Sequence, residues 1–156
     1  MDATICCFIG HRTIIETEGL KNKIHDTVKN LIVNSNVDRF LFGSKSQFDR
    51  LALEIVSQEK EKYPHIKRIY VRAEFPFISE HYKDYLLKKY DETYYPEKIL
   101  GAKRSVYIER NFEMIDKSAY CIIYYRKDLV PQNRKSGTEM ALEYAIKQKK
   151  NLILLD

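Results

Sequence analysis

The chain reads as an α/β protein: a mainly parallel, five-stranded sheet held between two layers of helices. Three observations predict this. Short apolar runs alternate with longer segments of helical periodicity along the whole chain. Several of those runs are continuous rather than alternating and close on glycine, as strands covered on both faces do. Parallel neighbours also need long crossovers, and the helical segments between the runs supply them.

The first strand is Thr4 to Ile9, closed by Gly10. Leu20, Ile24, Val28, Leu31 and Ile32 then recur at helical spacing and place a helix at about 19–34, followed by a turn from Asn34 to Asp38. Arg39 to Phe42 is the second strand, ending at Gly43. The next helix runs from Gln47 to Lys62, with Leu51, Ala52, Ile55 and Val56 on one face, and stops before Pro64. Ile66 to Ala73 is the third strand. The stretch 75–104, rich in Tyr and Phe, carries no clear period: it is expected to be an irregular insertion with a short helix at about 79–89. Val106 to Ser118 is helical with Ile108, Phe112 and Ile115 inward. Tyr120 to Tyr125 is the fourth strand, and a polar loop from Leu129 to Lys135 contains Pro131. Gly137 to Gln148 is the last helix and Leu152 to Leu155 the fifth strand. No repeat or linker interrupts the pattern, so residues 1–156 are expected to form a single domain with right-handed crossovers.

Composition narrows the function classes. Apolar residues make up 44% of 156, a globular proportion. The net charge of +5, from 27 basic and 22 acidic residues, is spread along the chain; it suits anionic ligands but forms no dense arm for nucleic acid. Cys6, Cys7 and Cys121 lie in apolar runs, an odd count without framework spacing, which points to a reducing cytoplasm and inert core thiols. The N-terminal apolar run is too short for a secretory leader, and no stretch reaches the roughly 20 apolar residues of a membrane span. His11, His25, His65 and His81 are isolated and no C-x-x-C occurs, so neither a metal nor a resident cofactor is expected.

In an open parallel sheet, ligands bind outside the C-terminal strand ends where strand order reverses. The first and fourth predicted strands are the expected neighbours there. The first exits into Gly10, His11 and Arg12; the second into Gly43, Ser44, Lys45 and on to Asp49; the fourth into Arg126 and Lys127, then Arg134 to Glu139. A helix start exposes about four unpaired amides and roughly half a positive charge. Glycine admits close backbone approach, Ser and Thr add donors, and Arg12, Lys45, Arg134 or Lys135 can form charge-assisted bonds. Such loops are suited to phosphate.

Single residues keep two readings each. His11 is a ligand donor or acid–base group, or a loop residue paired to backbone. Asp49 bonds a ribose hydroxyl or acts as a base, or caps its helix. Phe48 stacks on a base or packs the core. Arg110 clamps phosphate, or pairs at the surface with Glu113 or Asp116. The tyrosines of the middle stretch form a lid, a partner surface or sheet-edge packing.

"CFIGHR", "FLFGSKSQFDRLALEIV", "YPHIKRIYVRAE", "ERNFEMIDKSAYCIIYYR" and "SGTEMALEYAIKQKK" together resemble the SLOG superfamily, which embraces the DNA-processing SMF/DprA proteins and the Lonely Guy phosphoribohydrolases. Within it the chain is similar to small stand-alone bacterial members with an F-[TI]-G-H-R start, a G-x-x-x-x-F-D loop and a late S-G-T or G-G-T loop. The resemblance implies a Rossmann-like three-layer sandwich that binds a nucleotide or a derivative. Gly10, Arg12, Gly43, Phe48, Asp49, Ser136, Gly137 and Thr138 match motif positions. One departure bears on chemistry. Lonely Guy enzymes carry P-G-G-x-G-T with acids two and three positions after the Thr, where this chain has Met140 and Ala141. Glu139 and Glu143 are the acids present, and Glu139 is turned by about 100–200° around the helix from those positions.

The leading expectation is therefore a cytoplasmic module that binds or senses a nucleotide-like phosphorylated ligand, possessing a capacity to form homo-oligomers. The second is an N-glycosidic hydrolase of nucleoside monophosphates, with Glu139, Asp49 and Arg12 as acid, base and phosphate anchor. DNA binding ranks third.

Overall fold

The computed structural model describes residues 4–101, 103–130 and 133–156; Pro131 of the expected polar loop lies outside them. The elements run β1 (Ile5–Gly10), α1 (Glu18–Ser35), β2 (Arg39–Phe42), α2 (Gln47–Lys62), β3 (Lys67–Val71), α3 (Glu80–Leu86), β4 (Glu92–Tyr94), α4 (Ser105–Lys117), β5 (Tyr120–Tyr124), a 3₁₀ turn at Lys127–Leu129, α5 (Gly137–Lys147) and β6 (Asn151–Leu155). They build one sheet in the order β4-β3-β2-β1-β5-β6, with every neighbouring pair parallel. This is a Rossmann-like α/β fold.

The sheet has six strands where the sequence predicts five. The added strand, β4, comes from the aromatic stretch expected to be irregular. Three residues are too few to show a period of two, so nothing local marks them. Contacts distant in sequence hold β4 instead. Asp91, just before it, takes the Arg68 guanidinium in a two-pronged pair at 3.1 Å and 3.1 Å and accepts the Arg68 amide at 2.7 Å. The Thr93 hydroxyl donates to the Tyr70 carbonyl at 2.9 Å.

Each face of the sheet carries its own core. On one, Phe8, Phe40, Phe42 and Tyr124 meet α1 and α2, and Phe8 stacks on Phe42 with ring centres 5.0 Å apart. On the other, Cys7, Ile9, Leu41 and Ile123 meet Met114 and Ile115 of α4 and Ala141 and Ala145 of α5. Cys6 and Cys7 belong to opposite cores, and all three cysteines are free and buried.

Helix starts follow the sequence. Thr17, Ser46, Ser79 and Ser136 each stand at an N-cap and accept an amide from three residues on. The face of α4 departs from expectation. Its buried residues are Val106, Arg110, Glu113, Met114 and Ile115, whereas Ile108 is half-buried and Phe112 stacks on Tyr144 at 4.0 Å. The buried face carries two charged side chains, so a reading of apolar spacing alone rotates the helix. Arg110 and Glu113 are tolerated there because each meets a polar partner.

Candidate functional site at the strand reversal

From β1 the sheet grows one way through β2, β3 and β4 and the other way through β5 and β6. The order therefore reverses between β1 and β5, where a crevice is expected at their C-terminal ends. His11 crosses it. The ring is buried, and its Nε2 accepts the Arg126 amide at 2.9 Å, tying the β1 exit to the β5 exit. Burial holds its pKa below the ordinary value, which keeps the ring neutral and Nε2 able to accept. Arg12 is exposed, while its carbonyl accepts the Gln47 amide at 2.8 Å and Gln47 Oε1 accepts the Ile14 amide at 2.9 Å. The loop after β1 is thus anchored on both sides. Gly10 has a packing role: a Cβ there meets the Phe48 side chain at 2.4 to 2.7 Å. Phe48 itself is fully buried, stacked on Tyr124 at 5.6 Å.

The loop after β2 satisfies itself. Asp49, 2% exposed, reaches back from the third residue of α2. Its Oδ2 accepts the Gly43 amide at 3.3 Å, the Ser44 amide at 2.9 Å and the Ser44 hydroxyl at 2.9 Å. Oδ1 is buried without a hydrogen-bond partner among the described residues. Burial raises the carboxyl pKa to about 6, against the pull of the Ser44 bonds and the Arg110 charge. Arg110, also buried, donates to the Gly43 carbonyl and to Asn111 Oδ1 at 3.2 Å. A Cβ at Gly43 meets Arg110 at 2.6 Å and Met114 Sδ at 2.7 Å, so this glycine admits α4. Lys45 is exposed and lies over the Tyr85 ring at 5.7 Å. The amides that a phosphate would take in this loop already hold an internal anion.

The start of α5 is different. Ser136 accepts the Glu139 amide at 3.0 Å, but neither the Gly137 nor the Thr138 amide has a partner among the described residues. Gly137 is exposed, and apart from its chain neighbours and its own helix backbone no atom of the described residues lies within 4 Å of the place a Cβ would occupy. Thr138 is buried. The Glu139 carboxylate accepts the Tyr125 hydroxyl at 3.3 Å, and the Tyr125 ring lies 5.4 Å from that of His11. The path His11–Tyr125–Glu139 therefore joins the β1 exit to the start of α5. Arg134 is exposed, Lys135 pairs with Glu143 at 2.9 Å, and Arg126 pairs with Asp128 at 2.9 Å. A cleft of about 530 Å³ opens beside the crevice, lined by Tyr125, Arg126, Lys127, Asp128 and Asp156.

The candidates thus divide. Gly10, His11, Arg126, Ser136, Gly137, Thr138 and Glu139 gather around the reversal. Gly43, Ser44, Asp49 and Arg110 form a second, internally bonded cluster on the β2 side. Sequence reasoning missed Tyr125 and Gln47; the signal for Tyr125 was its place at a strand exit, directly before Arg126. Among the described residues no three of His, Cys, Asp and Glu converge to hold a metal, and no helix is long and apolar enough to cross a membrane.

No family model matches the chain, and no curated protein does. Among solved structures it is similar to the X-ray structure of DNA processing protein A (DprA) from Streptococcus pneumoniae, with a TM-score of 0.61, 14% identity, and coverage of 96% of this chain and 49% of that one. The chain spans about half the length of that protein. The likeness is one of fold.

Proposed function

We propose that this chain binds a nucleotide-like, phosphorylated ligand in the crevice between β1 and β5, with a phosphate on the open amides of Gly137 and Thr138. On this reading it is a small stand-alone relative of the SLOG superfamily. The observation that carries it is the start of α5 at the strand reversal, where the Gly137 and Thr138 amides have no partner among the described residues and Gly137 is exposed in the helix field. Arg12 and Arg134, both exposed, stand at the β1 exit and two residues before the Ser136 cap. Thermal shift and calorimetry against nucleoside mono-, di- and triphosphates and ADP-ribose derivatives test it. A ligand at 100 times its Kd stabilises the protein by about 2.7 kcal/mol. No response to any phosphorylated ligand sinks the proposal.

Binding without turnover is favoured over N-glycosidic hydrolysis by the two candidate carboxylates. Asp49 is sealed inside its own loop, and Glu143, one helical turn from Glu139, is held by Lys135 at 2.9 Å. Incubation with nucleoside monophosphates and an assay for free base separates the readings: release of base that Glu139→Gln abolishes favours the hydrolase. DNA binding, a reading prompted by a structural neighbour named as a DNA processing protein, calls for a gel shift with single-stranded DNA that weakens steeply with salt.

A further inference from the structure

The two edges of the sheet are finished in different ways. β4 is three residues long, and charged pairs flank it: Lys67 with Glu92 at 2.9 Å, and Arg68 with Asp91. Such an edge resists pairing with another strand. β6 is five residues long, reads Asn-Leu-Ile-Leu-Leu, and carries no charge. The Asn151 amide donates to Ala119 and the Leu155 carbonyl accepts from Tyr125, so Asn151, Ile153 and Leu155 turn their backbone groups toward β5. In a parallel strand the alternate residues, Leu152 and Leu154, then turn theirs to the open edge, where no partner stands among the described residues. Beside this edge Leu154 is 54% exposed and Ile146 of α5 59%.

Charge selects what covers it. Lys149 and Lys150 directly precede β6 and Asp156 directly follows it. A strand with basic residues at one end and an acid at the other is complementary to itself when reversed. We infer that β6 pairs antiparallel with β6 of a second copy of this chain, about a two-fold axis through Ile153. In that register Leu152 faces Leu154 of the partner, both with outward-turned backbone groups, and Lys150, whose Nζ also donates to the Asp116 carbonyl of its own chain at 3.3 Å, faces Asp156 of the partner. The parallel arrangement sets like charge against like and is disfavoured. Two short strands and Ile146 bury less than the roughly 1,200 Å² of a standard interface, so the dimer is reversible and concentration-dependent.

Sedimentation equilibrium of the full chain over a concentration series extending to high micromolar tests this. The mass is expected to rise from one chain to two and to stop there. Leu154→Lys, at an exposed position, is expected to weaken dimerisation at least about tenfold with an unchanged circular dichroism spectrum. The double change K149E/K150E and the change D156K each set like charges together and are expected to be monomeric. Mixed together they restore both charged contacts, and a heterodimer is expected. A monomer at every concentration, growth beyond two chains, a dimer indifferent to Leu154→Lys, or a mixture no better associated than its parts overturns the inference.

Discussion

Replacing Asp49 by Asn and following stability against pH tests the view that the β2 loop is closed by a costly internal anion. Burial raises the Asp49 carboxyl from the usual 3.8 to about 6 in the folded protein. A carboxyl with a raised folded pKa binds protons more readily in the native state than in the unfolded one. Its favourable contribution is complete below pH 3.8 and is lost as pH rises through about 6. A shift of this size corresponds to about 3 kcal/mol, of which about 2 kcal/mol falls between about pH 4.5 and 7.5. Asn cannot ionise, and all other titrations cancel in the comparison. Urea unfolding of both proteins across that window should therefore show wild type losing about 2 kcal/mol relative to Asp49→Asn as pH rises. A flat difference refutes the reasoning. A difference of opposite sign would mean that Arg110 and the Ser44 bonds outweigh burial and hold the charged form.

Three further outcomes follow from packing and charge. Gly10→Ala drives a methyl into Phe48 and should cost about 1–3 kcal/mol in thermal or urea unfolding. Gly137→Ala meets nothing, so stability should stay within about 0.5 kcal/mol while affinity for any phosphorylated ligand, read by calorimetry, falls. Arg68→Ala takes the guanidinium from half-buried Asp91, leaving it the residue-68 amide and Lys60 at 3.7 Å, and should speed amide exchange through Glu92–Tyr94 before it affects β1 or β5.

Where sequence alone was legible, a local device set the outcome. β2 and α2 fall at the residues their sequence predicts, because Gly43 ends the run and Ser46 caps the helix. β4 and the buried face of α4 were not legible, because partners distant in sequence decide both: Arg68 for Asp91, Gly43 for Arg110 and Tyr94 for Glu113. The glycines show the same limit. Gly10, Gly43 and Gly137 all read as backbone openings for phosphate, yet Gly10 and Gly43 make room for Phe48 and Arg110, and only Gly137 faces empty space. Composition tells that something comes close to a glycine, not what.

The contrast between the β2 and β5 loops rests on one repeated motif. Both α2 and α5 begin with a Ser cap and an acid at the third helical residue, Ser46 with Asp49 and Ser136 with Glu139. An acid in that position commonly turns back onto amides before the helix. Asp49 does so and fills its loop. Glu139 instead accepts the Tyr125 hydroxyl, which holds its carboxylate away from the backbone it would otherwise cover. The openness of the α5 start is then a property of Tyr125, a residue remote from the amides themselves. Tyr125→Phe should free Glu139 to turn back and compete with a bound phosphate. Releasing one hydrogen bond of about 1 kcal/mol corresponds to a loss of roughly fivefold in affinity. Glu139→Ala combined with Tyr125→Phe should restore it, since no acid remains to compete. Calorimetry with the tightest-binding nucleotide reads both steps. If Tyr125→Phe leaves affinity unchanged, or if the double variant stays as weak as the single one, Glu139 does not guard the cradle and its opening has another cause.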